Sequence, residues 1–271
     1  MPISGSQRSS TQDRQTHLVT LMQAGVEQVD DLAYTLGVSA STVRRDLAKL
    51  TSAGRVTRTY GGAVPKRSFH ERPVGDRTRV NTEAKGEIAA AAALFVGEEM
   101  TVFIDAGSTC LALAEQLHNR RQLSVVTRGL EVGAALASSD GVKVDMVGGT
   151  ILHLSHGLVG PLALLGLERM GFDAAFLSAD AVDPRRGVGE PTMEEAAVKE
   201  KAAAVSDRVF VIADSSKLRK RQLGAWTRLA PGWTLITDGD AKDDALAAFL
   251  DAGNHVIIAP SLRSNLSRLS F

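Results

Sequence analysis

Between residues 30 and 52 apolar positions recur at helical spacing in two short blocks, DDLAYTL and SASTVRRDLAKL, separated by Gly37 and Val38. The first block predicts a helix that opens near Asp30, whose carboxylate can cap its free N–H groups, and that turns Leu32, Ala33 and Leu36 inward. Gly37 ends it. Ser39 then caps a second helix running to about Ser52, with Val43, Leu47 and Leu50 as the inward stripe and Gly54 as its close. Beyond it, residues 55–59 alternate basic and β-branched side chains, and Gly61-Gly62 supplies the turn of a hairpin returning through Ala63 and Val64. The order is helix, turn, helix, wing.

Periodicity then lapses. Residues 65–80 carry Pro65, Pro73 and mixed charge, and read as a connecting segment. A helix from about Thr82, with Ala84, Ile88, Ala89, Ala92 and Leu94 on its apolar side, opens a second region. There, short β-branched or apolar runs at 101–104, 124–126, 143–147, 174–177, 209–213, 234–236 and 255–258 predict strands. Helical stretches at 109–117, 130–137, 163–170, 194–205 and 243–250 fall between most of them. Such alternation implies a mainly parallel sheet covered on both faces, with ligand sites at the carboxyl ends of its strands. The fold class is therefore α/β: an N-terminal winged helix-turn-helix domain at 1–66, a linker at 67–81, and a C-terminal, mainly parallel α/β sheet domain at 82–271.

Length agrees, since 271 residues suffice for two domains. Charge adds a partner. The chain is neutral as a whole, with 31 basic and 31 acidic residues. Yet residues 39–67 hold seven cations (Arg44, Arg45, Lys49, Arg55, Arg58, Lys66 and Arg67) against the one acid Asp46, a net +6. That asymmetry is the footprint of a phosphate-binding face. On the second helix, Ser39, Ser41, Thr42, Arg44, Arg45 and Lys49 present hydroxyls and cationic groups suited to base edges and phosphates in a major groove. Arg58 and Tyr60 add a cation and a phenol on the wing, while Asp46 is assigned to orienting an arginine or to the fold. The expected partner is a double-stranded DNA operator. A single cysteine, Cys110, excludes an internal disulfide framework and is expected to pack in the interior. No window approaches 18 uninterrupted apolar residues, so a cytoplasmic location without membrane contact is expected.

Chemistry gathers after the predicted strands. Asp105-Ala106-Gly107-Ser108-Thr109 opens a helix, where backbone N–H groups and hydroxyls can cradle a phosphate. Thr127-Arg128-Gly129, Gly148-Gly149-Thr150 and Asp214-Ser215-Ser216-Lys217 follow later strands, the last offering an ammonium point charge. Each taken alone is equally a capped turn or a surface cation. The acidic run from Ser178 to Asp183, with Glu194 and Lys199 downstream, invites an enzymatic reading in which a carboxylate abstracts a proton beside a carbonyl. Fusion to a DNA reader argues against it, and no catalytic residue is assigned. His153 and His156 lack an acid or cysteine at ligand spacing, so neither a metal nor a cofactor is assigned; Trp226 and Trp233 read as packing residues.

These residues also carry a resemblance. VSASTVRRDLAKLTSAGRVTRTYGGAV closely resembles, without a gap, the winged helix-turn-helix signature of the DeoR family of bacterial transcriptional regulators, with Tyr60 standing where the family usually has histidine. IDAGST, VTRG, VGGT and VIADSSK resemble that family's sensor domain in the same order. The resemblance implies the fold shared with ribose-phosphate isomerases, sugar-phosphate deaminases and CoA transferases. It also implies a phosphorylated sugar as effector and most often repression as outcome. By motif position it assigns effector contacts to Asp105, Gly107, Ser108, Thr109, Thr127, Arg128, Gly148, Gly149 and Lys217. Arg128 departs from the asparagine common in the family. Either the effector offers an additional anionic group, the reading preferred from sequence, or Arg128 turns away to pair with an acid such as Asp105. A homo-oligomer, dimer or tetramer, is expected, with effector control passing through residues 65–80. The rival reading is a C-terminal domain that only oligomerises.

Overall fold

The computed structural model describes residues 11–23, 26, 28–52, 56–59, 62–65, 73–218 and 223–261. Gly54, Tyr60 and Gly61 lie outside them, as does the side chain of Arg58. The chain divides into two compact units, Met1–Phe69 and His70–Phe271.

The first unit contains α1 (Thr11–Gln23), α2 (Val29–Leu36), α3 (Ala40–Ser52), β1 (Val56–Thr59) and β2 (Gly62–Pro65). Leu18, Met22, Leu32, Val43, Leu47 and Leu50 bury one face of each helix against the others, and Val56 joins them from the wing. α2 starts at Val29 with extended Gln28 as its cap, and no side chain bonds there. Asp30 therefore sits inside the first turn, where its charge favours the positive helix end without capping it. Gly37 does end α2: it adopts φ 63°, and its N–H reaches Tyr34 O. Ser39 caps α3 by accepting the Thr42 N–H at 3.2 Å. β1 and β2 pair antiparallel, with Thr59 opposite Gly62. Helix α1 was not foreseen.

The second unit runs α4 (Val74–Thr78), α5 (Thr82–Ala93), β3 (Thr101–Ile104), α6 (Ser108–Gln116), β4 (Leu123–Thr127), α7 (Leu130–Leu136) and β5 (Val142–Met146). It continues with β6 (Thr150–Ile151), β7 (Leu158–Val159), α8 (Pro161–Glu168), β8 (Ala174–Leu177), β9 (Ala181–Asp183), β10 (Gly187–Glu190) and α9 (Met193–Ala204). The last elements are β11 (Val209–Ile212), β12 (Ala225–Thr227), β13 (Thr234–Thr237), α10 (Asp243–Asp251) and β14 (His255–Ile258).

Seven strands form one parallel sheet in the order β14-β13-β11-β8-β3-β4-β5. Its residues alternate between two cores, as a pleated strand requires. Val102, Ile104, Val125 and Phe176 pack with Ile88 and Ala92 of α5, Leu113 of α6 and Val132 of α7. Phe103, Val126, Ala175 and Leu177 face the other way, onto Ala163 and Leu167 of α8 and Val198 and Ala202 of α9. Every strand of this sheet was predicted to within two residues. Leu94, placed on the apolar side of α5, instead follows its last residue and is 81 % exposed.

From β3 the chain winds outward through β4 and β5, then returns to β8 on the opposite side of β3. That reversal makes the carboxyl ends of β3 and β8 a topological switch point, the place where an open parallel sheet usually holds a ligand in a crevice. A three-stranded antiparallel sheet, β12-β10-β9, also grows from the β8 end, and β6 pairs with β7 beside the β5 end. The described part of the presumed linker, Pro73 onward, is ordered: α4 forms there, with Val74 buried and its N–H on Leu154 O.

Candidate functional site

α3 sorts its side chains by face. Val43, Asp46, Leu47 and Leu50 point inward, while Ser41, Arg44, Arg45 and Lys49 are exposed and Thr42 is half-buried. Ser39 Oγ lies 2.8 Å from both Ser41 Oγ and Thr42 Oγ1, so the three hydroxyls form one cluster at the helix start. Asp46 is buried because α1 answers it: Arg14 Nε lies 2.7 Å from Oδ2, and Gln15 Nε2 lies 3.2 Å from Oδ1. Burial alone would raise its pKa, but these donors hold it below the ordinary value. The one acid of the basic segment is thus removed from the surface, leaving a face of hydroxyls and cations on the exposed side of α3. Such a face suits phosphates and base edges.

At the carboxyl ends of the parallel strands, the candidate groups differ in burial. One set forms a buried ionic knot. Asp105, on the end of β3, is fully buried; Oδ1 accepts from Arg128 Nε at 2.5 Å and Oδ2 lies 2.8 Å from Lys199 Nζ. Ser178, just past β8, donates its N–H to Asp105 Oδ2 at 3.1 Å. Its hydroxyl lies 3.0 Å from the same oxygen and 2.6 Å from Ala106 O, and its one proton serves one of them at a time. Lys199 also donates to Ser178 O at 2.6 Å and lies 2.5 Å from Glu190 Oε1.

Charge explains why the knot holds. Burial would raise the Asp105 pKa, yet Arg128 and Lys199 bring it down to about 2. Lys199 is raised above its ordinary value, because Asp105 and Glu190 outweigh its own burial. Glu190 is pushed above the usual carboxylate range by burial and by its acidic neighbours Asp180, Glu195 and Asp105, with Lys199 opposing.

Arg128 takes the second of its two sequence readings: it is buried and turned to Asp105, in contrast to the preferred reading of a group offered to the effector. Close approach by glycine permits this. A Cβ on Gly157 would sit 2.3 Å from Arg128 Nη1, and one on Gly129 would sit 2.8 Å from Ala106 Cα. Asp105 and Thr127, also assigned as contacts, are equally enclosed; Thr127 Oγ1 accepts the Gly129 N–H at 3.0 Å.

Of the remaining candidates, Gly148 and Gly149 are exposed, Ser108 and Lys217 are half-buried, and Gly107 and Thr109 are buried. Gly107, at φ 117°, turns the chain into α6, placing Ser108 and the start of that helix at the carboxyl end of β3. In sheet order, Gly148-Gly149 and Lys217 stand on either side. Gly149, at φ 142°, passes so close to β7 that a Cβ would meet Val159 O at 2.3 Å. Lys217 ends a one-turn 3-10 helix, Ser215–Lys217, capped by Asp214, and its ammonium lies 3.4 Å from Asp180 Oδ1.

Several participants escaped the sequence reading. Lys199 was visible only as a lysine downstream of an acidic run, and Glu190 and Gly157 carried no signal of their own. Cys110 is buried, and burial pushes its thiol pKa up, which suits packing. Trp233 packs edge-on against Phe249, while Trp226 lies under Arg186 at 4.0 Å. His156 pairs with Glu131. Among the described residues, no cluster of three or more His, Cys, Asp or Glu is placed to hold a metal, and no helix is long and apolar enough to cross a membrane.

Comparison with known proteins agrees with both units. The DeoR-like helix-turn-helix domain matches residues 14–69, and the DeoR C terminal sensor domain matches residues 80–239. Similar proteins include the HTH-type transcriptional regulator GlpR of Haloferax volcanii, 33% identical over 90% of this chain and 96% of that one. The transcriptional repressor AccR of Agrobacterium fabrum is 33% identical over 86% of this chain and 92% of that one. A remote structural likeness is to ribose 5 phosphate isomerase A from Neisseria gonorrhoeae, with a TM-score of 0.37 and 22% identity over 49% of this chain and 52% of that one. The relatives are regulators named for control of transcription, not enzymes, and the exposed face of α3 fits DNA as the partner. On the match of both its units, this chain belongs to the DeoR family of transcriptional regulators.

Proposed function

We propose that the chain is a repressor of carbohydrate-metabolism genes whose hold on its operator is controlled by a phosphorylated sugar at the carboxyl ends of β3 and β8. The observation that carries this reading is the buried knot of Asp105, Arg128 and Lys199, which fixes the start of α6 and the β8 loop from below. Rigid backbone N–H groups at a helix start favour a phosphate, and Lys217 adds a cation nearby. On this reading Gly107, Ser108, Thr109, Gly148, Gly149 and Lys217 meet the ligand, while Asp105, Thr127 and Arg128 position them. Ser39, Ser41, Thr42, Arg44, Arg45 and Lys49, with Arg58 and Tyr60 of the wing, meet the DNA.

The protein acts as a homo-oligomer, dimer or tetramer. Two recognition helices then address half-sites about 34 Å apart, or multiples of that, on one face of the duplex. A second reading, a sensor unit that only oligomerises, is favoured by one observation: the knot satisfies Asp105 without any ligand. A thermal-shift screen with phosphorylated sugars and their unphosphorylated counterparts separates the two, since a compound that binds only the folded state raises the melting temperature. Stabilisation confined to a phosphorylated compound supports the first reading. A flat screen contradicts it.

A further inference from the structure

The chain that leaves the DNA reader ends on the same loops that carry the candidate effector groups. Arg77 of α4 places Nη1 3.5 Å from Asp180 Oδ1, and Lys217 Nζ lies 3.4 Å from that same oxygen. Asn81, held at φ 54°, donates from Nδ2 to Asp214 Oδ1 at 3.0 Å. Asp214 in turn accepts the Ser216 N–H, so it caps the turn on which Lys217 rides. Lys85 of α5 ties the segment down, donating to Val80 O at 2.6 Å and to Arg77 O.

We infer that α4 is a strap reporting effector occupancy to the DNA reader, with Asp180, shared between Arg77 and Lys217, as its switch contact. The inference rests on the reading that an anionic ligand meets Lys217. Both cations stand off Asp180 Oδ1 by more than the 2.7–2.9 Å usual for a charge-assisted bond, so neither contact is tight. Lys217 is 19 % exposed at its side chain, so its ammonium is open to an anion from solvent. An anion that draws its ammonium away removes one cation from Asp180 Oδ1, and Arg77 closes on that oxygen and seats α4 more firmly.

Covalent connection carries the consequence onward. In sequence, residues 66–73 join β2 to α4, so a change in the seating of α4 acts on the segment that leads directly to the reader. By linkage, DNA that fixes the reader alters the affinity for the anion by the same factor.

The test uses the full-length protein and a duplex selected by it in vitro from a random pool. Hydrogen exchange at amides 74–80 and DNA affinity are read for the natural sequence, Arg77→Gln and Lys217→Gln, first without ligand. Arg77→Gln is expected to speed exchange across α4 at least threefold, Lys217→Gln to slow it, and both to change DNA affinity at least threefold. Unchanged exchange in both variants, or changed exchange with DNA affinity held within twofold, overturns the strap. A second arm adds individual pentose and hexose phosphates. Arg77→Gln is expected to keep the thermal shift given by any active compound while its effect on DNA affinity falls below twofold; a retained effect overturns the strap. If no sugar phosphate acts on the natural sequence, the effector reading fails, and the ligand-free arm still decides the strap.

Discussion

An arginine, a lysine and an aspartate share one buried contact at the end of β3, and removing the aspartate takes away the anion that both cations share. Asp105→Asn strands Arg128 in the interior and leaves Lys199 to Glu190 alone, and losses of about 3–5 kcal/mol are usual when one partner of a buried pair is deleted. Urea denaturation is expected to show a loss of that size. The same group sets an acid limb. Its pKa is about 2 when folded against an ordinary 3.8, so the folded form binds fewer protons than the unfolded one between those values. The stabilisation is complete above about pH 4 and lost as the pH falls towards 2. It amounts to about 2–3 kcal/mol. Thermal unfolding across pH 2–5 should show that slope in the natural sequence and lose it in Asp105→Asn. Asp105 and Arg128 were legible as candidates because they sit in strand-to-helix turns. Which way Arg128 points was not, because that depends on Lys199 arriving from α9 and on Gly157 leaving room.

Helix boundaries and the strands of the main sheet were readable because their apolar positions carry a clear period. β9, β10 and β12 were not: they are three or four residues long, two of the four positions in β10 are glycine, and they exist only by pairing across the chain. Helix α1 was missed because its sequence, TQDRQTHLVTLMQ, is polar through its first two turns, and its fit depends on Arg14 meeting Asp46 of α3. Arg14→Ala therefore leaves a buried carboxylate short of its main donor, a change that costs about 1–3 kcal/mol. Faster amide exchange through α3, with exchange in α9 unaltered, is the expected sign. Ser39→Ala, which deletes the cap on α3, is expected to cost about 1 kcal/mol by the same measurement.

For the whole molecule, a reader whose only described acid on α3 is turned inward and a sensor unit with a cation at the carboxyl end of its sheet are joined by one short connection. Arg45→Ala should weaken operator binding by about 1–3 kcal/mol and relax preference at one base pair if the guanidinium reads a guanine. A uniform fall across sequences, with a shallower salt dependence, assigns it to phosphate. A selection from random duplexes, repeated with the variant, distinguishes these outcomes. The account stands or falls on control of DNA binding by ligand, and the direct measurement is the affinity of the full-length protein for its selected duplex with and without each sugar phosphate and its unphosphorylated counterpart. The account predicts a change of roughly 5-fold or more, the usual lower range of allosteric coupling, produced by a phosphorylated compound alone. Affinity that no phosphorylated sugar alters, or that the unphosphorylated counterpart alters equally, contradicts it.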